Sequence, residues 1–325
     1  MFIWLVLPLL ISLILFFLTF LYLLRQDYIR VKVRSFARAL FYSETIQRQA
    51  KEGHAAAQFN LGVMYEQGKN VPQNFQEAAN WYRRAAEQGD SHAQVNLGIL
   101  YVHGKGVPQN SHEATRWFQK AATQNNADAQ FNLGFAYEKG EGLPRNPRMA
   151  ALWFQKAAEQ GHAAAQNRLG VAYESGQGVP QNLQEATRWF QKAARQGDSQ
   201  AQNNLGVAYA RGQGLPQNHK KAAYWFRKAA KQGLAIAQKN LGGAYAEGKG
   251  VPKDVVRAYV WIIHAAKGGN REAMAAERLL AEELMPAQHR EAMDLLKKRL
   301  IHLKKQAAAS GKQEKEDDFR EVDEA

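Results

Sequence analysis

Tryptophan returns every 36 residues along most of this chain, at Trp81, Trp117, Trp153, Trp189, Trp225 and Trp261. A Leu-Gly pair keeps the same period from Leu61-Gly62 to Leu241-Gly242, and proline does so at Pro72, Pro108, Pro144, Pro180, Pro216 and Pro252. A period of this length, with three residue types in fixed register, reads as one supersecondary unit copied six times. Units of this kind bury by stacking a core that none could bury alone. The period therefore predicts an all-α fold, an α/α solenoid of helix pairs. Such an array offers an extended surface to another chain, so binding is expected ahead of catalysis.

The repeats run over residues 53–268 and read as one elongated unit. Cysteine is absent, which removes disulfides, thiolate metal sites and cysteine nucleophiles while fitting either side of a bacterial inner membrane. The formal charge of +13 invites a nucleic-acid reading. No dense Lys/Arg block interleaved with aromatics accompanies it, so no nucleic-acid partner is expected, and anionic lipid headgroups are the expected counter-charge.

That expectation rests on the N-terminus. Phe2 to Leu24 carries no charged residue, and at about 1.5 Å per residue a helix of that length crosses a core of roughly 30 Å. The polar, uncleavable sequence Leu24-Arg25-Gln26 follows directly, so residues 1–24 read as a retained single-pass anchor. Arg25, Arg30, Lys32, Arg34 and Arg38 lie just beyond, and the positive-inside rule puts the repeats in the cytoplasm. The comparison is lopsided, because almost nothing precedes the span, so a periplasmic array stays open. Residues 25–52 read as a basic juxtamembrane helix and N-terminal cap, with Phe36, Leu40, Phe41 and Ile46 at helical spacing. Residues 269–309 read as C-terminal capping helices broken at Pro286, and 310–325 as an acidic disordered tail.

Within a module the layout is legible from turn and cap chemistry. Ala57, Leu61, Gly62 and Tyr65 share one face of a first helix that stops at Gly68. Glycine inside that helix, repeated at Gly98, Gly134, Gly170, Gly206 and Gly242, costs about 1 kcal/mol each time relative to alanine. Close approach of a ring explains it, and the periodic Trp is the ring expected there. Asn74, Asn110, Asn146, Asn182, Asn218 and Asp254 are placed as N-caps of a second helix. Glu77, Glu113 and Glu185 complete capping boxes, and Pro147 takes the first helical position in the third module. Ala78, Trp81, Tyr82, Ala85 and Ala86 form the apolar stripe of that helix, and Gly89 suits a left-handed terminus, with Asn125 substituting one period on.

The strings AQFNLGVMYEQG and VPQNLQEATRWFQKAARQG resemble the Sel-one-like repeat family, a relative of the tetratricopeptide repeats, over about two thirds of the chain. That resemblance implies a right-handed superhelix acting as an adaptor or scaffold for proteins, often in bacterial membrane or envelope processes. Asn70 for Gly, Asn125 for Gly and Arg168 for Asn are its departures here.

Nine histidines are scattered, with no H-E-x-x-H and no Ser-x-x-Lys nucleophile motif, so no metal, cofactor or catalytic site is expected. The Gly-x-Gly elements follow helices and lack a Lys-Ser/Thr sequel, which makes them turns and not phosphate loops. One polar ladder stands out on the first helices: Asn60, Asn96, Asn132, Arg168, Asn204 and Asn240. An amide offers a donor and an acceptor, which suits the backbone of a bound peptide and equally suits bonds between repeats. On the first reading Arg168, which breaks the series, would set specificity. The expected role is a membrane-anchored adaptor. Its rivals are a periplasmic factor binding cell-wall enzymes or secreted proteins and a cell-wall hydrolase.

Overall fold

The computed structural model describes residues 43–310, with side chains placed through residue 298, and the anchor at 1–24 and the tail at 311–325 lie outside the described residues. By their contacts the helices fall into two compact units, one ending at Gln124 and the other beginning at Asn125. The single unit expected from the repeat is therefore divided, which a stack without one shared core permits. In the first unit a helical stretch over residues 43–51, α1, precedes α2 (Ala55–Gln67) paired with α3 (Phe75–Glu87), then α4 (Ser91–His103) paired with α5 (Ser111–Thr123). In the second, α6 (Ala127–Lys139) pairs with α7 (Pro147–Glu159), and α8 (Ala163–Ser175) with α9 (Leu183–Arg195). There α10 (Ser199–Arg211) pairs with α11 (His219–Lys231), and α12 (Ala235–Glu247) with α13 (Val255–Lys267). Two more helices follow, α14 (Arg271–Glu283) and α15 (Pro286–Ser310), and the described residues contain no strand.

Local chemistry sets the helix ends. Each first helix of a pair stops at a left-handed glycine, from Gly68 to Gly248. Each second helix opens on the expected Asn or Asp, whose side chain accepts a backbone N–H two or three residues on. The capping boxes do not form as expected. The backbone N–H of Asn74 already donates to Tyr65 O at 2.9 Å, and Asn110 and Asn182 bond Tyr101 and Tyr173 in the same way. The glutamates are thereby released, and Glu113 and Glu185 pair with Arg116 and Arg188 one turn on.

Inside each pair the helical glycine does receive a ring, but from the residue after the tryptophan. A Cβ on Gly62 would sit 2.5 Å from the Tyr82 ring, and on Gly170 2.6 Å from Phe190. Phe118, Phe154 and Phe226 take the same place, and Ile262 does so on Gly242. One residue is about 100° of helical rotation, enough to turn the tryptophan away. It points instead to the preceding module: Trp189 packs on the core of α7 and α8, Trp225 on that of α9 and α10, and Trp81 on that of α1 and α2. Tryptophan is thus the filler between modules, and the following ring is the filler within one.

The second glycine of the Gly-x-Gly turns at Gly106, Gly178, Gly214 and Gly250 has a separate task. A Cβ on Gly214 would collide with the carbonyl oxygen of Leu183, the first residue of the preceding second helix. In the first module Asn70 holds the same left-handed conformation at φ 62°. Asn125 replaces a glycine at another position. Its counterparts Gly89, Gly161 and Gly197 have left-handed φ, yet a Cβ at any of them would meet nothing within 4 Å, so only the conformation matters.

The ends are capped. Ile46 and Ala50 of α1 pack with Ala57, Leu61 and Met64. At the other end α14 keeps Ala273, fully buried, but carries Glu277-Arg278 where the modules have Leu-Gly. No ring can seat on Arg278, so α15 packs back on α13, burying Ala292 and bringing His289 within 5.7 Å of the Tyr259 ring.

These contacts rank three substitutions. Gly214→Ala, which meets backbone, should lower the thermal midpoint most. Gly206→Ala, which meets the Phe226 ring at 2.6 Å, should destabilise by about 1–3 kcal/mol. Gly197→Asn should stay within about 1 kcal/mol of the parent. Circular dichroism melts of the three variants check the order.

Candidate binding face

The six ladder residues all lie on first helices and are all half-buried. The structure gives them different partners. Asn204 Nδ2 donates to Asn167 Oδ1 at 3.0 Å, and Asn240 Nδ2 to Asn203 Oδ1 at 2.9 Å, so these two join adjacent modules. Asn132 donates to Asp128 O in its own helix, and Asn96 hydrogen-bonds toward the Tyr82 hydroxyl. The rungs at Asn204 and Asn240 exist because Asn167 and Asn203 stand where other modules carry Phe59, Val95 and Phe131. Each rung uses one N–H of one amide and the carbonyl of the other, leaving most of each amide's hydrogen-bonding capacity.

Arg168 breaks the ladder as its charge suggests. Its Nη1 lies 3.5 Å from Glu138 Oε2, an ion pair and not a hydrogen bond, and its guanidinium sits 5.5 Å from the Phe135 ring. Beside it His162 caps α8 through Nδ1, which accepts the Ala165 N–H at 3.1 Å. The imidazole stacks on Phe131 at 4.7 Å, with Nε2 3.4 Å from Asp128. The face of the second unit therefore grades from aromatic and ionic at α6 and α8 to amide at α10 and α12. Half-buried carboxyls add to it. Desolvation raises Asp198 above the ordinary range despite the Ala201 and Gln200 amides and the charges of Arg168 and His162. Desolvation also raises Glu174, against the pull of Arg211.

A second polar series, not singled out from the sequence, runs through the interior. Gln58, Gln94, Gln130, Gln166, Gln202 and Gln238 are each at most 5% exposed. Gln166 Nε2 donates to Ala158 O at 3.0 Å in the preceding helix, and Gln58, Gln94, Gln202 and Gln238 do the same eight residues back. Each side-chain carbonyl from Gln58 to Gln202 accepts from a glutamine at the end of its partner helix, as Gln196 donates to Gln166 at 2.8 Å. The signal was present as Ala-Gln and Gln-Gly at fixed register. These amides are spent on the fold. Among the described residues no group of three or more His, Cys, Asp or Glu could hold a metal ion.

Six consecutive segments, 55–90, 91–126, 127–162, 163–198, 199–234 and 235–270, match the Sel1 repeat. The chain belongs to the Sel1 repeat family. It is similar to a Sel1 repeat protein from Oxalobacter formigenes, at 33% identity over 72% of this chain and 94% of that one, with a TM-score of 0.66. It is also similar to c5321, a protective antigen present in uropathogenic Escherichia coli strains that displays the same repeat fold, at 31% identity and a TM-score of 0.54. That match covers 78% of this chain and 62% of the antigen. No curated protein matches the chain in sequence. Sel1 repeats and their helical solenoid are a protein-interaction module.

Two outcomes follow from these side chains. Gln166→Leu leaves the Gln196 amide without its acceptor and should destabilise by about 1–3 kcal/mol, while adding Gln196→Leu should recover part of that loss. Urea denaturation of both variants measures it. Asp198 binds its proton more tightly folded than unfolded, so stability from it falls as pH rises above about 4. Asp198→Asn keeps the cap, as Asn126 and Asn270 do in other modules, and removes that loss. Its melting midpoint should match the parent at pH 3 and exceed it at pH 7.

Proposed function

We propose that this protein is a single-pass membrane-anchored adaptor that holds protein or peptide partners along its first-helix face and performs no turnover. The observation that carries the binding reading is the grade across α6 to α12. Phe131, Phe135 and the Arg168–Glu138 pair give side-chain selectivity at one end. The Asn204–Asn167 and Asn240–Asn203 rungs offer amides fixed in position at the other. Amides held by one bond lose little freedom on making a second, so an extended backbone can be read there without a sequence requirement.

The anchor reading rests on the uncharged run Phe2 to Leu24, and the cytoplasmic side on the arginines and lysine that follow it. No described helix is long and apolar enough to cross a membrane, and the run itself lies outside the described residues. A protein in this arrangement would gather partners at the inner membrane.

The test places a photoreactive amino acid at Asn132, Arg168 or Asn204 in the full chain in cells, with the same group at Lys192 on a second helix as control. Partners should cross-link from the first three positions, and Arg168→Ala should reduce the yield severalfold at Asn132 while leaving the melting midpoint near the parent's. Equal cross-linking from Lys192 would remove the first-helix face from the argument. A reporter fused after Ala325 fixes the side: fluorescence without phosphatase activity supports the cytoplasm, and the reverse moves the array to the periplasm. Release of fragments from peptidoglycan by the purified chain would end the non-catalytic reading.

A further inference from the structure

The charges of the second unit are sorted between its two sets of helices. On α6, α8, α10 and α12 acids and bases cancel, with Asp128, Glu138, Glu174 and Glu247 against Lys139, Arg168, Arg211 and Lys239. The second helices are basic, and α11 is the extreme: its 13 residues hold Lys220, Lys221, Arg227, Lys228 and Lys231 and no acid. Lys220, Lys221 and Lys228 are exposed and pair with no carboxylate among the described residues, and Lys192 and Arg195 of α9 share that condition. The faces of these helices adjoin, because Gly214 brings the turn before α11 against the start of α9.

Cations alone describe a solvated surface. The distinguishing feature is what they surround. Tyr224 is 48% exposed, an outlier among the rings of the array, and lies one turn from Lys220 on one side and Lys228 on the other. Its ring meets Trp225 edge-on at 5.1 Å, and Lys228 Nζ lies 5.1 Å from it. At the equivalent position of α7, Leu152 is 44% exposed, and Lys156 and Lys192 lie over Trp153 and Trp189 at 4.3 and 3.9 Å. Lysines around a protruding aromatic and an aliphatic side chain match a headgroup layer, where ammonium groups meet phosphates and amphipathic rings sit at the boundary. A nucleic acid would gain nothing from Leu152.

We propose that the outer face of α7, α9 and α11, centred on Tyr224, docks on the anionic lipid headgroups of the bilayer to which the chain is anchored. The inference deepens the membrane reading above and rests on it. Each lysine near an anionic surface adds a weak attraction, and tethering makes the contact intramolecular, so a handful of such contacts is enough. Docked through its second helices, the second unit keeps its first-helix face open to partners.

The test uses the full chain in nanodiscs of phosphatidylcholine alone or with phosphatidylglycerol, reading acetylation rates of individual lysines by mass spectrometry. In anionic discs Lys192, Lys220, Lys221 and Lys228 should react at least about threefold more slowly, recovering at high salt, while Lys249, paired with Glu247, stays unchanged. K220E/K228E, two exposed changes, should abolish the protection of Lys221 without altering the circular dichroism spectrum. Equal rates in the two discs would overturn the proposal, as would protection by an acidic polypeptide or RNA but not by lipid. A chain that fails to enter neutral discs would overturn the anchor instead. Co-sedimentation with phosphatidylglycerol vesicles would then decide the face by itself: pelleting lost in K220E/K228E upholds it, and no pelleting ends it.

Discussion

A ring resting on a helix that lacks a Cβ is the contact from which the rest of the array follows. In a tight pair such as α8 and α9, Phe190 occupies the space a side chain on Gly170 would need. That fixes how close the two helices lie, and so where Ala186, Ala193 and Ala194 of α9 can be fully buried with no larger residue accommodated. Small residues on the one side and a single large ring on the other explain why alanine dominates the core. The buried glutamines act on the same geometry. Only helices this close let Gln166 reach a carbonyl behind it and an amide beside it at once, so the polar relay presupposes the ring.

What could be read in the sequence was what neighbours in sequence decide. N-caps, left-handed glycines and their asparagine replacements depend on a few adjacent residues, and Asn74 to Asp254 and Gly68 to Gly248 stand where the pattern put them. Trp81 and Tyr82 are adjacent, large and aromatic, and nothing in composition says which faces Gly62; one step of helical rotation decides it. The capping boxes failed because Tyr65 O, nine residues before the cap, competes for the same N–H. The glutamine relay was missed for a plainer reason. Glutamine counts as a surface residue until a structure shows that its amide is satisfied inside.

The asparagine ladder shows the limit most directly. Six residues in one register suggested one role, yet Asn204 and Asn240 join modules, Asn132 bonds its own helix and Arg168 forms an ion pair over a ring. The difference comes from what the preceding module presents beside its own ladder position, asparagine at 167 and 203 but phenylalanine or valine at 59, 95 and 131. Sequence period fixes where a side chain starts. Its neighbours in space fix what it does. The same module therefore carries a uniform interior and a varied first-helix face, which is the division of labour a binding array requires.

Arg278 sets the end of the array apart in one further respect. The junctions within a unit reuse the same glycine and glutamine contacts, with Ile262 in place of a ring on Gly242, so a whole module gained or lost there by duplication or deletion of 36 codons would meet neighbours already shaped to receive it. The last helices are not interchangeable in this way, because Arg278 of α14 closes the position where another ring would sit. A lineage carrying this gene can change the length of its array from the middle while both termini, and whatever each is attached to, remain as they were.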